Sequence, residues 1–433
     1  MKLYFDVRDI FRAPRLALSG KKIWIFLIGN IIGFAVYWVL SYLALGFSGV
    51  GLGEAWGQYG LYPYLVCEPL GWFGTIVYWV GIIFWFFTLN LACTAVARVT
   101  YKQLKGDEFY SSKDAWEYLK KHWHPVIFTS VSILLIVVFF VIMAAVFALF
   151  GNIPYVGEFL FALPYLLYFF GSVFTVYTGI VLLISFIYTP AIVAAYEEDT
   201  MGTVFQSYSI TWSQPWRIIL YHLLLLPLAY LGIQVFKLFW IGAFKLINIV
   251  FGLGWIQSVF GLDWLTGAKL AKISSWAASV INPRSLCDSV TFFGYSCNEL
   301  FGHTFPTSAP VTTAGLNGTE IAAGVIIALF LFLLLMSVIS YGFSIFSVGE
   351  TLMFVIFKKR SDDDNLLERK DEEELAEEEE EEEEEEDDDD DDDDTSTFDD
   401  EADSEEKQAD DTGSDESGEN NNNEENAASS DTN

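Results

Sequence analysis

The sequence predicts an all-α polytopic membrane protein of about six transmembrane helices, with cytoplasmic amphipathic helices in repeated helix-plus-hairpin units and a disordered acidic C-terminal tail. Three observations carry that fold class. Residues 1–360 hold several apolar runs of the ~20 residues needed to cross a bilayer. Two stretches, Leu91–Val137 and Val181–Leu226, follow one plan: an apolar run descends, a short polar helix follows, and a second apolar run leaves. Charge is also split abruptly. Residues 1–360 carry 21 Lys+Arg against 17 Asp+Glu, whereas residues 361–433 carry 3 against 40. The chain therefore divides into a transmembrane domain, 1–360, and a tail, 361–433.

Met1–Lys22 is amphipathic if helical, with Leu3, Val7, Ile10 and Phe11 on one face; Pro14 should bend or break it. It reads as a surface helix lying on the cytoplasmic leaflet. Ile23–Leu45 is the first span. Gly46–Gly71 is a Gly-rich loop without Lys or Arg, and Trp72–Ala97 is the second span, its cytoplasmic end marked by Arg98, Lys102 and Lys105. Ser111–His122 is an amphipathic helix in which Trp116, Leu119 and Trp123 recur at i, i+3, i+7. Val126–Phe150 and Tyr165–Ala195 are the third and fourth spans, joined by the short turn Gly151–Pro164.

Glu197–Pro215 is the next amphipathic helix, and Phe205, Tyr208 and Trp212 repeat the same spacing. A proline, Pro125 or Pro215, closes each trio, and a glycine, Gly106 or Gly202, precedes each helix. These matches mark an internal repeat. Both trios should point into the bundle or the leaflet. Trp216–Phe236 is the fifth span. From Lys237 to Val280, four lysines interrupt the pattern and four tryptophans recur, in a manner suited to one or two helices in the outer interface. Asn282–Glu320 is a polar loop, and Ile321–Phe357 contains the sixth span, closed by Lys358-Lys359-Arg360.

Sixteen of the 21 basic residues of this part fall in segments placed inside and five in segments placed outside. Both termini are therefore expected in the cytoplasm, with the protein in the cell (inner) membrane. Of four cysteines, Cys287 and Cys297 share the longest outer loop, where a disulfide could persist. Cys67 is the competing partner.

No phosphate loop, zinc-protease or nucleophile-elbow motif is present in the sequence, no CxxC occurs, and there are four histidines. No catalytic, cofactor or metal site is expected. His122 and His124 flank Trp123 as interfacial residues rather than a metal pair. His222 lies inside the fifth span, where a titratable group invites a functional reading, although it is only about a turn from Arg217 and could face headgroups. Asn30, Asn90 and Gln234 are the other polar residues of the spans, suited to interhelical hydrogen bonds or a functional path. Glu350 is the nearest approach to an acidic proton relay. Glu197, Glu198 and Asp199 are expected to cap the cytoplasmic end of the fourth span and to open the following helix.

Asp371–Asp394 is nearly all Glu then Asp, too dense in like charge to collapse. A basic protein or divalent cations are the partners it would attract, unless it acts only as a bristle. No nucleic-acid partner is expected.

The stretch TPAIVAAYEEDTMGTVFQSYSITWSQPWRIIL, Thr189–Leu220, resembles a set of six-span bacterial membrane proteins related to the membrane domain of glycerophosphodiester phosphodiesterases. The ending GETLMFVIF, Gly349–Phe357, is similar in flavour. The resemblance implies a six-span bundle with surface helices. No soluble catalytic domain accompanies it here, so it implies no phosphodiesterase activity. The expected function is that of a non-enzymatic scaffold, assembly factor or regulator; the alternative is a transporter or lipid-handling protein.

Overall fold

The computed structural model describes residues 3–66, 68–252, 259, 268–281, 291–292, 295–296, 305, 316–371 and 373–375. Six helices are long and apolar enough to cross a membrane. They are α2 (Gly20–Phe47), α4 (Trp72–Lys105), α5 (Ser112–Gly151), α7 (Tyr165–Tyr196), α9 (Pro215–Gly252) and α11 (Gly318–Ser361). The chain is an integral membrane protein. Shorter helices join them: α1 (Ala13–Ala17), α3 (Leu52–Tyr59), α6 (Val156–Ala162), α8 (Thr200–Ser213) and α10 (Ala268–Ile281). A two-residue antiparallel pair, Thr291–Phe292 with Tyr295–Ser296, is the one strand feature among the described residues.

The sixth span is the centre of the packing. From Ser347 to Lys358 every residue of α11 is buried, because α1, α4, α7 and α9 surround it at this end. Small residues let the backbones approach: a Cβ at Gly349 or Gly342 would meet Leu225 or Ile233 of α9 at under 3 Å. Spans α2 and α4 pack closely through Gly29 and Gly33. A Cβ at Gly33 would collide with Trp85 Cδ1. By contrast, α5 and α7 turn much apolar surface outward, including Leu135, Phe139, Leu166 and Phe170, as lipid-facing helices do.

The repeat is visible in the backbone. Each surface helix runs into its span across a break. His122 is non-helical at φ −112°, ψ 26°, three residues before Pro125. Gln214 is non-helical at φ −138°, ψ 44°, directly before Pro215. Proline lacks the N–H and crowds the preceding turn, so both breaks fall where the sequence places them.

Several expectations need correction. The N-terminal segment packs into the bundle. A 3-10 helix (Val7–Arg12) leads into α1, and Ile10, Ala13 and Ala17 are fully buried against the bundle. Tyr341 Oη donates to Pro14 O at 3.1 Å and Ser344 Oγ to Ala17 O at 3.1 Å. The tighter 3-10 winding sets Val7, Ile10 and Ala13 on one face and turns Phe11 out, 58% exposed.

The fifth span does not end at Phe236. Lysine is a good helix former, and α9 continues through Lys237 and Lys245 to Gly252. The connections Gly46–Gly71 and Gly151–Pro164 are not plain loops: the first contains α3 and the second α6.

The boundary at 360 is also too early. The compact unit runs to Glu372, with Leu366 fully buried within it. The second unit, Glu373–Asn433, has only a helical turn at 373–375 among its described residues. The expectation of disorder across Asp371–Asp394 falls almost wholly outside the described residues, and so do Cys67, Cys287 and Cys297.

Candidate functional site

The basic end of α4 builds the site. Arg98, Lys102 and Lys105 follow one another at i, i+4 and i+7, so a helix of 3.6 residues per turn sets them on one face. Arg98 is fully buried, and it is held on three sides. Its Nη1 donates to Ala194 O at 3.1 Å and pairs with Glu197 Oε1 at 2.8 Å. Its guanidinium lies over the Tyr118 ring, 4.3 Å from the centroid. Tyr118 Oη in turn donates to Val193 O at 2.6 Å. Arg98 and Tyr118 thus close the C-terminus of α7, where carbonyls are left without helical partners and positive charge is favourable.

Glu197 is the C-cap of α7 and adopts the left-handed region at φ 56°. A non-glycine residue is strained there, and the ion pair to Arg98 offsets that strain. Glu197 therefore ends the span rather than opening the next helix. Asp199 opens α8: its carboxylate accepts from Gly202 N at 2.7 Å.

Residues 362–371 close over this face. Tyr101 Oη donates to Leu366 O at 2.7 Å, and Lys105 Nζ donates to Arg369 O at 2.8 Å. The carboxylate of Asp371 then receives all three cations. Lys102 Nζ lies 2.9 Å from Oδ1, and Arg98 Nη2 and Lys105 Nζ lie 3.3 and 3.6 Å from Oδ2. The Lys358-Lys359-Arg360 triplet is likewise committed: Lys358 pairs with Asp362 at 2.6 Å, Lys359 with Asp363 at 3.0 Å and Arg360 with Asp6 at 3.0 Å. The bond from Lys358 holds the Asp362 carboxyl below the usual carboxylate range.

A second polar group is buried within the spans. Cys93 Sγ lies 3.8 Å from Glu350 Oε2, and Ser347 Oγ donates to Cys93 O at 3.0 Å. Tyr188 Oη contacts Met353 Sδ at 3.4 Å, and its ring meets His222 edge-on at 5.7 Å.

The residues singled out in the sequence scatter around these groups. His222 Nδ1 is 2.8 Å from Ile218 O, while Nε2 is buried without a hydrogen-bond partner. Its ring is half-buried against Tyr188. Asn30 Nδ2 donates to Ser340 Oγ at 3.1 Å, an interhelical bond between α2 and α11. Asn90 only returns to Phe86 O of its own helix, and Gln234 Nε2 is buried without a partner. His122 stacks on Tyr118 at 4.3 Å, and no metal-binding group of His, Cys, Asp and Glu exists among the described residues.

The two aromatic trios divide. Leu119 is buried and Trp116 and Tyr208 are partly so; Trp123 is exposed, and Phe205 and Trp212 are 68% and 78% exposed. The inward face of α8 is instead Thr203, Val204, Ser207, Ile210 and Thr211.

Sequence reading used Arg98, Lys102 and Lys105 only as topology markers and missed Asp371 and Leu366. The available signal was Leu366-Leu367, two apolar residues set among charges.

Compared with known proteins, the chain matches no family model, no curated protein and no solved structure.

Proposed function

We propose that this integral membrane protein is a non-enzymatic scaffold, assembly factor or regulator that presents an acidic arm to the cytoplasm. One observation carries the reading: Asp371, the first residue of the acidic run, is held by Arg98, Lys102 and Lys105. The arm thereby leaves the bundle from one fixed point instead of a loose linker. Fixing one end of a polyanion concentrates its charge where a basic protein partner, or divalent cations, would meet it. The basic bias of the segments at this end supports a cytoplasmic placement of both termini in the cell membrane.

The test compares what co-purifies with the full chain and with a chain ending at residue 375, across a salt series. Basic proteins should be retained by the full chain at low salt, lost as salt screens the arm, and absent from the shortened chain. Identical retention by both chains would count against the reading.

A second reading, as a transporter or lipid-handling protein, is favoured by the buried Glu350 and Tyr188 with the half-buried Cys93 and His222 beside them. Polar groups at this depth are expensive in a membrane and often mark a path. Uptake or lipid transfer in proteoliposomes, abolished by Glu350→Gln, would favour it over the first.

A further inference from the structure

Asp371 is an unusual occupant for the place it fills. Three cations from one helix face converge on its two oxygens, and one of them, Arg98, is fully buried. The carboxylate comes from outside the helical bundle, on a segment that crosses from the end of α11. That segment is held by the Leu366 and Leu367 side chains, by Tyr196 against Asp364 and Arg369, by Lys358 and Lys359 on Asp362 and Asp363, by the Leu366 and Arg369 carbonyls, and by Asp371 itself. The donor set on α4 is part of a span, whereas the acceptor is carried on a strap that lies outside the spans. A guanidinium flanked by two ammonium groups, backed by the Tyr101 and Tyr110 rings, is also what a tetrahedral oxyanion needs: several charge-assisted donors from different directions. Its level is the end of an apolar span, where the phosphates of a bilayer lie.

We propose that Arg98, Lys102 and Lys105 form a phosphate-binding site that the chain occupies with its own Asp371, and that a phosphate group takes that place when residues 362–371 lift away. The phosphate can be the headgroup of an anionic lipid or free inorganic phosphate. The docked strap is then an autoinhibitory plug, and the anion that displaces it releases the root of the acidic arm. The site does not depend on what the arm recruits.

The test uses the full chain in nanodiscs of phosphatidylcholine with increasing phosphatidylglycerol. Bound lipid is counted by native mass spectrometry, and strap release is read as trypsin cleavage after Arg369 and Lys370. Asp371→Asn should retain phosphatidylglycerol about tenfold more tightly than wild type, the scale of one lost charged competitor. Adding Lys102→Gln and Lys105→Gln should abolish that gain. In wild type, which requires no variant to fold, phosphatidylglycerol should speed cleavage. If inorganic phosphate in plain phosphatidylcholine discs speeds cleavage equally, the ligand is free phosphate; if only the lipid acts, it is the headgroup. Equal lipid retention by wild type and Asp371→Asn, a gain that survives the two lysine changes, or wild-type cleavage that ignores both anions would overturn the proposal.

Discussion

Lys102 Nζ lies 2.9 Å from Asp371 Oδ1, although 269 residues separate the two in sequence. That contact ties the end of the second span to the first residue of the acidic run. Arg98 lies deeper on the same face and joins Asp371 to Glu197. The strength of this arrangement is open to measurement.

Arg98→Met should be the most damaging single change at this end. It removes a buried guanidinium and leaves Glu197 and Asp371 without their shared charge, a loss of ~3–5 kcal/mol for breaking a buried pair. Thermal unfolding in detergent should show a large drop, with Arg98→Lys recovering only part of it. A melting point unchanged in Arg98→Met would mean that the pairs contribute nothing.

Leu366→Asp should release the strap without touching the bundle. Its side chain is fully buried, so a charge there cannot remain seated. Trypsin should then cut after Arg369 and Lys370 faster than in wild type, while cleavage within the spans stays slow. Unaltered cleavage would show that the leucine is not an anchor.

Two glycines of the first span should respond with opposite sign. Gly33→Ala drives a methyl into Trp85, which is wedged between Phe34 and Tyr37 at 5.8 and 5.4 Å and has little room to retreat. Overpacking of this kind costs ~1–3 kcal/mol. A Cβ at Gly46 meets nothing within 4 Å, so Gly46→Ala should be neutral or stabilise by up to ~1 kcal/mol through helix propensity. Unfolding of the two variants side by side checks the pair.

On α8 the small face should matter more for folding than the large one. Ser207→Leu enters a filled seam and should destabilise by ~1–3 kcal/mol. Trp212→Ala should stay within ~0.5 kcal/mol of wild type on unfolding in detergent. A large detergent-phase loss for Trp212→Ala would reverse the assignment of faces.

That last contrast shows why some of the fold was legible in sequence and some was not. Span positions follow from run length, and the breaks before Pro125 and Pro215 follow from proline chemistry. Which face packs does not follow from hydrophobicity when the surroundings are lipid. There, small residues such as Thr203 and Ser207 mark the contact, and Phe205 and Trp212 mark the outside. The polar group at Arg98 was hidden for a different reason. Its members lie on α4, on the turn after α7 and beyond α11, and no sequence window spans them. The composition of residues 361–433 then masked Leu366, because one buried leucine does not alter the average of an acidic stretch.

The fully enclosed end of α11 has a consequence for biogenesis. Ser344 and Tyr341 hold the segment at Pro14–Ala17, a pairing across 327 residues. During synthesis the amino-terminal segment emerges early and its seat emerges only with the sixth span. Until then Ile10, Ala13 and Ala17 lack the part of their cover that α11 supplies and have only α9 to pack against. A chain interrupted before Gly318 has five inserted spans but no keystone. Membrane quality control would meet it as an open ring with its amino-terminal segment unseated.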